Sequence, residues 1–228
     1  MHVIFFQVLI LKYLIKFILL LTLLPFGNAS AVTLDFFCVT FNSTGNCDDG
    51  EQQFSVDAID LGSGFGTEFL FRNDDLGNLI SNSANLAINE IYFDSSLLAS
   101  VQDSDVNIIP ASGVTFTLDS LSPPNLPGHE TVGFTSDFGT ETAGPGQSTA
   151  IQEGEIFRIV FETLSYTDNF LVALLADNFN IGIHVHSFAD GGSESFVTSM
   201  SPVPVPAAIW LFGTALIGFV GMSRKTKV

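Results

Sequence analysis

Short apolar runs with a two-residue period, separated by turn-forming residues, constrain this chain more than any other feature. In one of them Phe157, Ile159 and Phe161 alternate with Arg158, Val160 and Glu162. Alternation of this kind puts apolar side chains on one face of a strand and leaves the other face for solvent. Similar runs recur at 32–40, 53–59, 67–71, 87–93, 113–118, 155–163 and 180–187, between clusters of Gly, Asn, Asp, Ser and Pro. They predict an all-β chain folded as a single β-sandwich or jelly-roll-like domain. One stretch breaks the period. Between Asp168 and Asp177, the residues Phe170, Leu171, Leu174 and Leu175 fall at helical spacing, which predicts one short helix capped by Thr167 or Asp168.

Such a fold needs a core, and the chain can fill one: it is 46% hydrophobic and carries 23 Phe. That content excludes intrinsic disorder. Charge excludes a second class. There are 24 acidic residues against 7 basic ones, and only Arg72 and Arg158 of the basic set lie between the two ends. A nucleic-acid partner requires a basic face that displaces counterions from phosphate, and none can be built here. The chain therefore reads as an acidic middle, residues 32–200, between two apolar ends.

The front end has Lys12 and Lys16, then Phe17-Ile18-Leu19-Leu20-Leu21-Thr22-Leu23-Leu24, then Pro25, Gly27 and the small residues Ala29-Ser30-Ala31. A basic flank, a short apolar core and an A-x-A site predict a secretory signal peptide over residues 1–31. Cleavage after Ala31 would start the mature chain at Val32. The other reading is an uncleaved N-terminal anchor, against which the helix breakers Pro25 and Gly27 argue.

The far end runs Ser201-Pro202-Val203-Pro204-Val205-Pro206, then sixteen uncharged residues at 207–222, then Ser223-Arg224-Lys225. As a helix those sixteen residues span roughly 24 Å, slightly less than a bilayer core of about 30 Å. Trp210 suits one interface and the Arg224/Lys225 cluster marks the cytoplasmic side. The string Val203-Pro204-Val205-Pro206-Ala207-Ala208-Ile209-Trp210-Leu211-Phe212-Gly213, with its basic end, resembles the PEP-CTERM sorting signal. Val205 stands where that family's central Glu is usual, as in a recurring subtype. The resemblance implies export across the inner membrane of a Gram-negative, exopolysaccharide-making bacterium. It also implies removal of the 201–228 tail by a membrane-embedded exosortase and a final place at the cell surface or outside it.

Within the middle, Cys38 and Cys47 are the only cysteines. An even pair in an exported chain predicts a disulfide, here closing a loop over residues 41–46. With no His nearby the pair cannot furnish the four ligands of a structural zinc site. His184 and His186 share one face of a predicted strand, opposite Ile181, Ile183 and Val185. Two imidazoles at that spacing could share a metal completed by Asp190 or Glu194, and the alternative is a polar pair beside a turn. The 181–195 string, with Ile91-Tyr92-Phe93-Asp94 and the 122–128 segment, resembles uncharacterised PEP-CTERM proteins in which Gln often stands where His186 does. Carboxylate clusters at 48–51, 73–78 and 103–105 suit calcium as the one conceivable cofactor, although none matches an EF-hand loop and an acidic solvated surface accounts for them better.

Enzyme signatures are missing: the chain has no G-x-S-x-G, H-E-x-x-H or Walker loop. Glu153 and Glu155 are the one conceivable glycosidase pair. The expected function is an exported surface or matrix protein with a structural or binding role, without catalysis. Two alternatives stay open. One is a carbohydrate-binding module, with calcium as an assisting ion and exopolysaccharide as its partner. The other is an extracellular hydrolase. Sugar stacking needs exposed Tyr or Trp, and the middle offers only Tyr92 and Tyr166.

Overall fold

In the computed structural model the alternation of residues 156–161 does what the sequence predicts. Phe157, Ile159 and Phe161 are fully buried, while Ile156 and Arg158 face outward. The structure describes residues 30–76, 86–109, 111–119, 123–143 and 147–199. In chain order these form β1 (Ala31–Cys38), α1 (Thr44–Gln53), β2 (Phe54–Asp60), β3 (Thr67–Asn73), β4 (Ala87–Asp94), β5 (Val106–Ile109) and β6 (Phe116–Asp119). There follow β7 (Phe138–Thr142), β8 (Ile151–Gln152), β9 (Ile156–Phe161), α2 (Leu171–Leu175), β10 (Asn180–His186) and β11 (Ser193–Ser199).

The strands make one antiparallel sheet in the order β5-β9-β3-β2-β1-β11-β10-β4-β7-β6, with β8 added to β4. The two outermost elements of the domain, β1 and β11, pair at its middle, Asp35 opposite Ser199 and Cys38 opposite Phe196. Five strands lie on the β1 side of that seam and six, counting β8, on the β11 side. The sheet rolls until the halves face each other across a core of phenylalanine rings. Phe69 of β3 meets Phe93 of β4 at 5.3 Å, Phe161 of β9 meets Phe138 of β7 at 5.0 Å, and Phe157 of β9 stacks on Phe116 of β6 at 4.5 Å. Edge-to-face rings add to the burial of area itself, which explains why one residue type dominates this core.

All seven predicted strands occur, with shifted ends. The run 113–118 narrows to Phe116–Asp119. That of 155–163 begins after Gly154, whose φ of 80° turns the chain. Four strands, β5, β7, β8 and β11, were not expected. The short helix is present, but it starts earlier than predicted. A π-helical turn over Tyr166–Phe170 runs into α2, and the cap is Ser165, whose Oγ accepts the Asp168 N–H at 3.3 Å. Tyr166 is buried against Phe170, and seating that ring draws the first turn upstream of Thr167. A second helix, α1, is an addition. Among the described residues no helix is long and apolar enough to cross a membrane. The tail over 201–228 and the leader as far as residue 29 lie outside the described residues.

Candidate binding cleft

The outer face of the β11-β10-β4-β7 quarter is covered rather than solvated. Leu126 and Phe134 of the β6–β7 connection pack on Tyr92, Val39 and Val197 as a small second apolar cluster. They can do so because the sheet below is bare. A Cβ on Gly182 would lie 2.8 Å from Leu126 and 3.1 Å from Phe134, and one on Gly139 would lie 2.8 Å from Pro123. This packing holds residues 132–137 over the ends of β4, β10 and β11.

A cleft of about 890 Å³ opens there. Its polar lining comes from five places: Asp94 with Ser95 and Ser96 at the end of β4, Asp137 before β7, Asp177 and Asn178 after α2, Asn180 of β10 and Thr198 of β11. Phe37, Val132 and Phe134 give an apolar side. Each carboxylate has a structural reason for its position. Asp177 takes a φ of 56° just after α2, where its N–H bonds the Leu174 carbonyl while the Asn178 N–H bonds that of Ala173. That pair of bonds is a Schellman ending, and Asp tolerates the left-handed position better than most residues. Asp137 is fixed through its N–H, which donates to the Phe93 carbonyl at 2.9 Å. Burial pushes the Asp94 carboxyl above its usual range; the Thr135 N–H opposes that shift and the nearby Asp137 charge reinforces it. Chemically the cleft offers carboxylates, amides and hydroxyls beside a small apolar wall, a lining suited to a polyhydroxylated or cationic ligand.

The predicted histidine face is real but closed. Ile181, Ile183 and Val185 point into the core, and His184 and His186 lie together, their rings 4.5 Å apart and edge to face. His184 is buried, and its Nδ1 shares a hydrogen bond of 2.9 Å with Ser195 Oγ. Burial drives its pKa from 6.5 to about 4, with Glu90 acting against that and His186 adding to it. Among the described residues, Ser195 and His184 are a hydroxyl and an imidazole in hydrogen-bond contact. Ser195 is fully buried, however, which leaves its Oγ no path to a substrate. Asp190 is not beside them. Its carboxylate accepts from the Asn46 amide of α1 at 3.1 Å and from the Gly192 N–H at 2.9 Å, and those bonds hold it below the ordinary carboxylate range.

Cys38 and Cys47 form the predicted disulfide, with a Cα–Cα distance of 5.3 Å. The loop they close folds over Glu194, a fully buried carboxylate that accepts the Ser43 N–H at 2.7 Å, the Asn42 N–H at 3.1 Å and the Thr40 hydroxyl. Among the described residues the one cluster with metal-ligand spacing is Cys38, Cys47 and Glu194. A disulfide has no thiolate to give, and this carboxylate is already spent on the loop. The three acidic clusters weighed for calcium take up different local structures, with Gly77 and Asn78 of the second outside the described residues. Residues 48–51 are helical in α1, Asn73 is buried and donates to the Leu86 and Ile151 carbonyls, and Asp105 accepts the Gln102 N–H. Glu155 likewise accepts the Gln152 N–H within a tight turn shared with Glu153.

No family model matches the chain, and neither a curated protein nor a solved structure matches it. The sorting residues Val203, Pro204, Val205, Pro206, Trp210, Arg224 and Lys225 lie outside the described residues. Sequence reasoning missed the cleft because its polar groups come from separate segments with no common spacing. The only local signal was Asp177 at the end of a helical pattern.

Proposed function

We propose that this chain is an exported cell-surface or extracellular-matrix protein whose jelly-roll-like sandwich has a binding role rather than a catalytic one. In this reading the leader over 1–31 carries it across the inner membrane of a Gram-negative bacterium. The tail over 201–228 holds it there until an exosortase-type protease removes it. The tail sequence supports the sorting half of the proposal. The cleft supports the binding half: it gathers Asp94, Asp137, Asp177 and Asn180 in an open position at the ends of rigid strands.

A carbohydrate ligand, such as the exopolysaccharide that the tail's resemblance implies, is the second reading. The carboxylate and amide lining favours it, since those groups bind vicinal hydroxyls. Aromatic stacking does not, because Tyr92 and Tyr166 are both buried. The test is a glycan array run with and without calcium, comparing the wild-type protein with an Asp137→Asn, Asp177→Asn double variant. The binding reading expects a retained glycan class whose signal falls at least tenfold in the variant, a loss of about 1.4 kcal/mol. Equal binding by both proteins would remove the cleft from the account.

A further inference from the structure

The strand directions point both ends of the domain toward one edge of the domain. Ala31 opens β1 there, opposite Ile59 near the end of β2, and Ser199 closes β11 opposite Asp35 of β1, heading the same way. At that same edge the chain leaves large apolar side chains uncovered. Phe65, at the tip of the β2–β3 turn, is 68% exposed, and Leu61 beside it is 37% exposed. On α2, Val172 is 60% exposed and Leu175 is 73% exposed. The turn and the helical segment are neighbours, since Gly64 and Gly66 line one recess together with Ser165 and Asp168. At the opposite edge, Phe41 is strongly exposed, with Ile109 and Ile156 less so.

We propose that this edge is a lipid-facing surface, on which Leu61, Phe65, Val172 and Leu175 rest at the interface of a zwitterionic bilayer while the tail is anchored. The inference rests on the reading of residues 207–222 as a membrane span. Only residues 200–206 separate Ser199 from that span, a reach of at most about 25 Å when fully extended. A seven-residue strand is itself about 23 Å long, so bringing the opposite edge to the membrane would take almost the whole tether at full extension. The short tether therefore favours the edge toward which β11 leaves as the one nearest the bilayer. Apolar side chains at that position gain by leaving water for the headgroup boundary. Asp60, Asp168 and Asp177 flank them, so an anionic surface would repel the same edge.

The experiment uses the full chain in vesicles of phosphatidylcholine with brominated tails, reading tryptophan quenching. Trp210, the sole tryptophan, reports in the wild-type protein whether the tail is in the bilayer. Trp210→Phe combined with Phe65→Trp or with Leu175→Trp reports the proposed surface, and Trp210→Phe with Phe41→Trp reports the far edge. Wild-type quenching with roughly twofold loss for Phe65→Trp and Leu175→Trp, little loss for Phe41→Trp, and weaker quenching in anionic vesicles is the expected result. Wild-type quenching with all three positions alike would overturn the surface and leave the anchor standing. An unquenched wild-type Trp210 would remove the anchor, and the surface with it.

Discussion

At the scale of single residues, His184 shows how the inside of a polar strand face is kept neutral. Its ring is buried between Ser195 of β11 and Glu90 of β4, and its pKa stands near 4 in place of 6.5. The unfolded chain therefore binds this proton more tightly than the folded one between those two values. Stability is complete above pH 6.5 and declines as the pH falls toward 4, by on the order of 3 kcal/mol if the whole shift is expressed. Thermal melts at pH 7 and pH 5 check it: the wild-type midpoint should drop by roughly 5 °C more than that of His184→Asn, which can still bond Ser195. Equal drops would assign the pH dependence elsewhere. The pairing of His184 with His186 on one face was legible from their two-residue spacing. The burial of His184 was not, because it depends on strands β4 and β11 that the spacing does not specify.

Elements divide by whether their information is local. The rings of β3, β4 and β9 announce themselves through alternation, and the helical spacing of Phe170 and Leu174 locates α2. By contrast β11 reads Ser193-Glu194-Ser195-Phe196-Val197-Thr198-Ser199, too polar to suggest a central strand. It is central because its polar groups are satisfied inside: Glu194 by the disulfide loop, Ser195 by His184 and Thr198 by the Ile181 N–H. Helix α1 is equally hidden, since Gly45, Asn46, Asp48, Asp49 and Gly50 are poor helix formers. Tertiary contacts supply what propensity withholds. Gly50 leaves room for the Phe196 ring, Glu51 accepts the Cys38 N–H at 2.9 Å, and Cys47 is tied to Cys38. The disulfide should therefore matter in two ways, through the entropy of its short loop and through the seating of α1 over Glu194. Replacing both cysteines with serine is expected to cost about 2.5 kcal/mol, measured by denaturant unfolding at pH 7. A change under about 0.5 kcal/mol would mean that the loop is held without it.

For the whole molecule, the pairing of β1 with β11 points the start and the end of the domain toward one edge of the domain. The proposed cleft opens at that edge too, beside Thr198 and Asn180. In the proposed precursor this edge would face the membrane, and cutting the tail would turn it to solvent. Release from the membrane and access to the cleft would then depend on one event, loss of the apolar segment beyond Pro206. The direct measurement is mass spectrometry of the C-terminal peptide of mature protein, from strains with and without the sorting enzyme. The account predicts a mature chain ending near 205–207 in the competent strain, and the full tail with Trp210 in the deficient one. Recovery of the peptide containing Trp210 from surface-localised protein of the competent strain would contradict it.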